Sequence, residues 1–317
     1  MSEKITAPVA VFGYNRADKL KKCIKMLEKC ELAGETDLFI FADGPKSEKG
    51  AAAVEEVHKW VSEYKADSDV GNGVFKSVHT IIKEKNAGLA NSIIDGVTEL
   101  IDKYGRVIVV EDDLLVQPNF LAYMNEGLDY YENDDKIWEI ASYGYKLKAL
   151  NNYKHDIYLS YRASSWGWAT WKDRWDTVDW EVKDYDKLVN SKELQKKFNR
   201  GGGDLYPMLQ RQMRGESDSW AIRWNYAASR QDKLTVYPKY GIVSNDGFDG
   251  SGIHSGYKAP DATTEKVGAK VKFENVELDP KITREYYLMH TDTLDKKIKR
   301  NANPKDIIKL IKRVFKR

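Results

Sequence analysis

Cysteine is nearly missing from this chain: only Cys23 and Cys30 occur among 317 residues. Seven positions on one predicted helix set them about 10 Å apart along its axis, too far for a disulfide without unwinding it. They read as packing thiols of a reducing compartment, and the expected location is cytoplasmic. Long apolar runs are missing too. Hydrophobic residues make up 42% of the chain, yet no stretch is long enough to span a bilayer. Met1 to Pro8 is polar and leads into a predicted strand without the apolar core of a secretory signal. Nor does one sign of charge dominate. The net charge of +2 creates no strong global field, so composition offers no argument for a nucleic-acid partner. There is no internal repeat or low-complexity tract. What remains is a globular chain able to bury a large core, as one domain or two closely packed halves.

The hydrophobic pattern alternates between two kinds of element. Ala7 to Gly13 is a short apolar run of the kind a buried strand shows. A charged helix follows over about residues 16–32, with Leu20, Ile24 and Leu27 on one face. Asp37 to Ala42 reads as a second strand, stopped by the turn Asp43-Gly44-Pro45. A helix over 51–64, a strand over 74–82 and an amphipathic helix over 89–103 come next, then the strand RVIVV at 106–110. Such alternation predicts an α/β fold with a mostly parallel sheet flanked by helices. Ligands of these sheets bind beyond the carboxyl ends of the strands. That rim collects Asn15-Arg16, Asp43-Gly44, the segment Lys85 to Leu89, and Glu111-Asp112-Asp113. After a helix over 118–132 the character changes to a Trp-, Tyr- and Gly-rich region reaching His254. The expected organisation is a catalytic domain over 1–257, with a nucleotide half (1–113) and an acceptor half (114–257). An extension (258–317) follows, polar and looped at first and ending in a basic helix.

The acidic triplet carries the sharpest chemistry. Hard cations prefer carboxylate oxygen, and a divalent ion held at a strand end can offset charge on a departing diphosphate. Against this stands the ordinary use of acids as strand terminators. Asp43 can accept hydrogen bonds from a nucleobase or ribose, or can simply form the turn. Asn86 and Gly88 permit close backbone approach to a donor, or mark a plain helix entry. In Ser164 to Trp171 the indoles suit sugar faces, while Trp168 and Trp171, at helical spacing, read as core. Asp218, in Glu216-Ser217-Asp218-Ser219-Trp220, is a candidate general base or a helix N-cap. The glycine-rich segment Ser244 to His254 suits a loop over a ligand, and His254 is a candidate for reaching the metal or the diphosphate, against the reading of a solvated histidine.

The stretches APVAVFGYNR, FADG, KNAGLA, VIVVEDDLLVQPNFLAYM and ESDSW together resemble glycosyltransferases of the GT-A fold. They are similar to the inverting family that contains the eukaryotic α-1,3-mannosyl-glycoprotein 2-β-N-acetylglucosaminyltransferase (type I) and its bacterial relatives. The resemblance runs with gaps from about Pro8 to His254. It implies a GT-A-like fold and a Mn²⁺- or Mg²⁺-dependent, inverting transfer from a UDP-sugar. Asp113 matches the metal ligand, Glu111 and Asp112 the acids that contact the donor, Asp43 a base- or ribose-binding Asp, and Arg16 an arginine near the nucleotide. The catalytic base of the family lies in an acidic-Asp-Trp setting, which falls here on Asp218, although Ser219 intervenes before Trp220. With no membrane anchor or stem in the sequence, the expected acceptor is a bacterial surface glycan or glycolipid.

Two alternatives stay open on sequence grounds: a sugar-1-phosphate nucleotidyltransferase, and a non-catalytic glycan-binding protein on the same fold. Gly13 to Arg16 is too short for the basic phosphate loop of the first, and the intact acidic triplet argues against the second. At the C-terminus, Ile307, Ile308, Ile311, Val314 and Phe315 form an apolar stripe among six basic residues. That pattern suits peripheral contact of 303–317 with an anionic membrane, or packing on the catalytic domain.

Overall fold

In a computed structural model the described residues are 6–69, 73–248 and 268–291. His254 and the basic helix expected over 303–317 lie outside them. The first half is built from strands β1 (Val9–Gly13), β2 (Asp37–Ala42), β3 (Ser77–Ile82) and β4 (Arg106–Glu111), with helices α1 (Ala17–Leu27), α2 (Glu48–Asp69) and α3 (Leu89–Tyr104) between them. The second half opens with the short strand β5 (Leu114–Val116), α4 (Phe120–Tyr131), β6 (Ile137–Ala141), β7 (Ile157–Ser160) and β8 (Trp168–Trp171). Helices α5 (Lys172–Trp175), α6 (Tyr185–Val189), α7 (Lys192–Phe198), α8 (Leu205–Met213) and α9 (Trp220–Arg230) follow. Strands β9 (Leu234–Pro238) and β10 (Val243–Asn245) and helix α10 (Pro280–Met289) complete the described chain. None of its described helices is long and apolar enough to cross a membrane.

Eight strands form one sheet in the order β3-β2-β1-β4-β8-β6-β9-β7, and β5 pairs with β10 in a small second sheet. The β3-β2-β1-β4 block is wholly parallel. Strand β8 runs antiparallel to β4 and β6, β6 is parallel to β9, and β7 closes the edge antiparallel. The expected α/β sheet flanked by helices is therefore observed. Its central strands are continuously apolar because both faces are covered: every residue of β1 is buried, whereas the edge strand β3 is only half covered. On one face lie α1, α2, α4 and α10, and on the other α3, α5 and α9. Helix α3 meets the sheet through Ala90, Ile93, Val97, Leu100 and Ile101. Gly96 lies where a methyl group would come within 2.9 Å of the Phe12 ring, so the helix rests directly on stacked Phe12 and Phe41.

Two local expectations need correction. Helix α1 stops at Leu27, and Cys30 lies in the turn beyond it, where its amide bonds the Leu27 carbonyl. The cysteines thus do not share a helix, though both are buried free thiols. Trp168 and Trp171 do not share a helix face either. They lie on β8, and their odd spacing sends them to opposite faces of the sheet: Trp168 joins the α9 side, Trp171 the α4 side. Both are buried, as core residues should be.

The α9 side is an indole cluster. Trp168 stacks on Trp220 at 5.0 Å, Trp138 lies 4.2 Å from Trp224, and Trp175 bridges Trp224 and Trp180. Inside it sits one fully buried acid, Glu139 of β6. Its carboxyl accepts from the Ser164 amide, from Trp224 Nε1 at 2.6 Å and from the Thr235 hydroxyl. Burial pushes Glu139 up to about 8, against the pull of these three donors. An unfolded chain loses the same proton near about pH 4.3. Between those values the folded state binds more protons, so this residue's contribution falls as pH rises toward 8. Urea denaturation at about pH 5.5 and about pH 7.5 should therefore show wild type losing more stability than Glu139→Gln across that interval, by up to ~1.4 kcal/mol per pH unit. Equal slopes would show that the carboxyl is ionised throughout. The slope is the readout, because the Gln amide also disturbs the donors around it.

Candidate active site

The carboxyl ends of β1, β2 and β4 are adjacent in the sheet, and the predicted polar clusters do meet there. Asp112 follows β4 with its amide bonded to the Phe12 carbonyl of β1. Arg16, at the start of α1, reaches across to it. Arg16 Nη2 bonds Asp112 Oδ1, Nε lies 3.3 Å from Oδ2, and Nη1 lies 3.1 Å from Asp113 Oδ2. One guanidinium therefore bridges two of the three acids, in the fork geometry that suits carboxylates. Burial works against the Arg16 charge, but the two carboxylates outweigh it and hold the group above its ordinary value. Burial lifts Asp112 only to about 6 because Arg16 pulls back. Glu111 is pushed to about 8 by burial and by Asp113 and Asp112, with Arg16 the smallest influence on it.

Asp113 faces a different neighbour. Its carbonyl accepts from the Asp246 amide at 2.8 Å, in the turn after β10. A methyl group on Gly247 would stand 2.2 Å from Asp113 Oδ2, so only glycine lets this turn close against the carboxylate. The turn is pinned to α1 from the other side. The largely buried Lys19 bonds the Asp246 carbonyl at 2.9 Å and its carboxylate at 3.1 Å, and Lys22 reaches the same carboxylate at 2.8 Å. These ammoniums, Lys22 foremost, hold Asp246 below the usual carboxylate range. Asp246 and Gly247 belong to the segment read from sequence as a loop over a ligand, whereas Lys19 was not singled out. The contact spans 227 positions, and no local pattern encodes it.

The second rim cluster centres on Asp43. Its carboxylate accepts from the amides of Gly44, Ala87 and Gly88 and from Asn86 Nδ2, all at 2.9–3.0 Å. Four donors fill the acceptor capacity of a carboxylate. In this structure Asp43 thus knots the β2 turn to the entry of α3, and Asn86 is part of the knot through a second bond to the Gly44 carbonyl. Gly88 has a left-handed φ of +81° and caps α3 with no side chain. The nearest atom to a methyl group built there is Asp218 Oδ2, at 3.4 Å. Asp218, distant in sequence, is thereby brought to the same rim.

The cap question for Asp218 has a clear answer. Ser219 is the N-cap of α9, its hydroxyl accepting from the Ile222 amide. Asp218 stands one residue outside the helix with an exposed side chain. Beside it lies Arg223, which sequence reading passed over. Arg223 Nε donates to the Ser219 carbonyl, Nη1 to the Trp180 carbonyl, and Nη2 comes within 3.5 Å of Asp218 Oδ1. A basic residue four positions after a helix cap was the available signal. Trp166, half-buried, meets Tyr143 and Phe248 edge-on near the Gly247 turn.

A divalent cation is what the acidic rim would be expected to hold. Among the described residues no three acidic, His or Cys side chains form a cation cage. That donor set fits the other common mode, in which one or two carboxylates share a cation with substrate phosphates. Asp113 suits it: Arg16 takes Oδ2, leaving Oδ1 to the rim.

Over 200 residues the chain is 22% identical to the α-1,3-mannosyl-glycoprotein 2-β-N-acetylglucosaminyltransferase of Arabidopsis thaliana, which covers 60% of this chain and 43% of the relative. The chain thus spans less than half the length of that relative. Among solved structures, residues 1–349 of TarS from S. aureus align with 77% of this chain and 61% of theirs, at 10% identity and a TM-score of 0.46. The mannosyltransferase PcManGT from Pyrobaculum calidifontis, in complex with GDP-Man and Mn²⁺, aligns with 54% of this chain and 46% of its own, at 10% identity and a TM-score of 0.37. The family model for GNT-I matches residues 1–200. With well over half of its length matched by that model, the chain belongs to the GNT-I family.

Proposed function

We propose that this chain is an inverting glycosyltransferase that moves a hexosyl or N-acetylhexosaminyl group from a UDP-sugar to a glycan or lipid-linked glycan acceptor. The observation that carries the reading is the shared rim of Asp113 and Asp218. Asp113 closes the acidic cluster at the end of β4, and Asp218 reaches Gly88, whose amide is tied to Asp43 at the end of β2. One carboxylate is set for a diphosphate and the other for an attacking hydroxyl, at strand ends that flank β1. Family membership supports the same chemistry.

In this reading Asp218 accepts the proton of the acceptor hydroxyl. The acceptor oxygen then bonds the anomeric carbon while the bond from that carbon to the diphosphate oxygen breaks, and UDP leaves with the electron pair. A single displacement inverts the anomeric centre. Arg223 Nη2 stands 3.5 Å from Oδ1 of Asp218, while Oδ2 is the oxygen nearest Gly88. Asp113 would hold Mn²⁺ or Mg²⁺ against the diphosphate, and the ion when bound offsets charge on the leaving group. Arg16 keeps Asp112 paired, which limits the repulsion that three adjacent carboxylates would otherwise exert on each other. A nucleotidyltransferase is less well supported, because the β1–α1 turn offers Arg16 as its cation and that residue is committed to the acids.

Two substitutions test the assignment. Asp218→Asn should keep donor affinity and lower turnover roughly 10²–10⁴-fold, the usual worth of a general base. The helix cap on Ser219 is untouched by it, so thermal stability should stay at the wild-type value. An Asp218→Asn enzyme with normal turnover would end the base assignment. Asp113→Ala should leave the protein folded but remove the Mn²⁺-dependent part of UDP binding, measured by titration calorimetry with and without the ion. Retention of Mn²⁺-dependent binding would show that other groups hold the cation.

A further inference from the structure

One sizeable cavity lies away from the acidic rim. A volume of about 680 Å³ opens between α7 and α10, beside Tyr161 at the end of the edge strand β7. Strands β8, β6 and β9 separate it from β4, so it is no part of the site described above. Its size falls in the range of small-molecule sites. Tyr161 and Tyr287 line it with aromatic side chains, and Leu278 adds apolar wall. Lys196, Arg200 and Arg284 also line it, and none of its lining residues is acidic. Arg200 is already engaged: it lies 4.0 Å over the Tyr161 ring and bonds Asp232 at 2.6 Å. Lys196 and Arg284 have no ion pair among the described residues, and both are exposed.

We propose that this cavity binds an anionic oligosaccharide, with Lys196 and Arg284 pairing its carboxylate or phosphate groups and Tyr287 packing on a pyranose face. Both kinds of lining are needed for the choice. A free phosphate would use the two cations and leave the tyrosine wall idle. A neutral sugar would use the rings and leave two unpaired cations in the cavity lining. An acidic sugar uses both, through charge-assisted bonds and aromatic contact with the apolar face of the ring. A lipid surface is disfavoured because the cations line a recess and do not crown a protruding face. The proposal stands apart from the transfer reaction, since it needs neither donor nor metal.

Calorimetry with the full chain tests it, using hexagalacturonate as the acidic probe, maltohexaose as the neutral one, and inorganic phosphate. Hexagalacturonate should bind about tenfold or more tightly than either control, and the difference should shrink as salt rises. The double variant Lys196→Ala/Arg284→Ala should lose about tenfold of that affinity at unchanged melting temperature, because both side chains are exposed. Tyr287→Ala should weaken hexagalacturonate and maltohexaose alike. Asp113→Ala should bind hexagalacturonate as wild type does, which separates failure of this site from failure of the transfer reading. Equal hexagalacturonate binding by the double variant overturns the proposal. So does phosphate binding as tight as that of the hexamer, or capture of phosphatidylglycerol vesicles that the double variant loses while hexagalacturonate goes unbound.

Discussion

Three carboxylates in a row at the mouth of a buried strand repel one another, and the rim depends on the one guanidinium that answers them. Arg16 touches Asp112 and Asp113 together, with four-fifths of its side chain out of solvent. At contact distance such a pair attracts by on the order of 4 kcal/mol near a protein surface, before desolvation is subtracted. The subtraction is large, so the bridge adds little net stability. Its value lies in the asymmetry: Asp112 is almost fully buried, and an unanswered charge there would cost about 3–5 kcal/mol. Arg16 therefore fixes where the acids point. Asp112 is spent as its partner, Glu111 is driven toward its neutral form, and Asp113 is left as the carboxylate with an oxygen to offer.

The end of β2, on the far side of β1, is organised by the same logic, with amides in place of a guanidinium. Asp43 gathers four N–H donors from two turns. Gly44 packs so tightly beneath that a methyl group would overlap the Lys85 backbone at 2.5 Å. A carboxylate so saturated makes a rigid wall, and the rigidity passes to Gly88 and on to the Asp218 side chain that rests against it. Backbone groups satisfied in this way do not need water, so the loops at the rim can be both irregular and fixed.

The parallel half of the sheet was legible from residues alone, because its strands are continuous apolar runs and its helices keep one face apolar. β1, β2, α3 and β4 begin or end within two residues of expectation. The second half was not, and the reason is physical. Its short strands draw burial from tryptophan and tyrosine, residues that satisfy helix and strand patterns equally, so WATW read as helical spacing. Charged residues hid there as well. Arg174 is buried to 2% exposure because it donates to the carbonyls of Tyr131, Glu132 and Asp134 at the end of α4 and stacks on Trp171. Glu139 is buried for want of no partner. Such residues look like surface in a sequence until their distant partners are known. At the site, the acids and Arg16 were visible because strand order brings strand ends together. Lys19 and Arg223 act through tertiary contacts, and so do Asp246 and Gly247, whose segment read only as a loop over a ligand.

The one departure from the family pattern near the base bears on how the site works. Where an acid, Asp and Trp are expected in sequence, Ser219 stands between Asp218 and Trp220. A helix start must satisfy orphan amides, and an aspartate immediately before the helix would be drawn into that task, its carboxylate turned toward the amides of the first turn. The inserted serine takes the task instead. Asp218 stands one position before the cap, and its carboxylate lies near Arg223 and Gly88. Capping and proton transfer make opposite demands on a carboxylate, since a cap must keep its hydrogen bonds while a base must be open to a new one. Under the proposed function, dividing them between Ser219 and Asp218 leaves each residue a single role, and the serine cap is what frees the aspartate for the other.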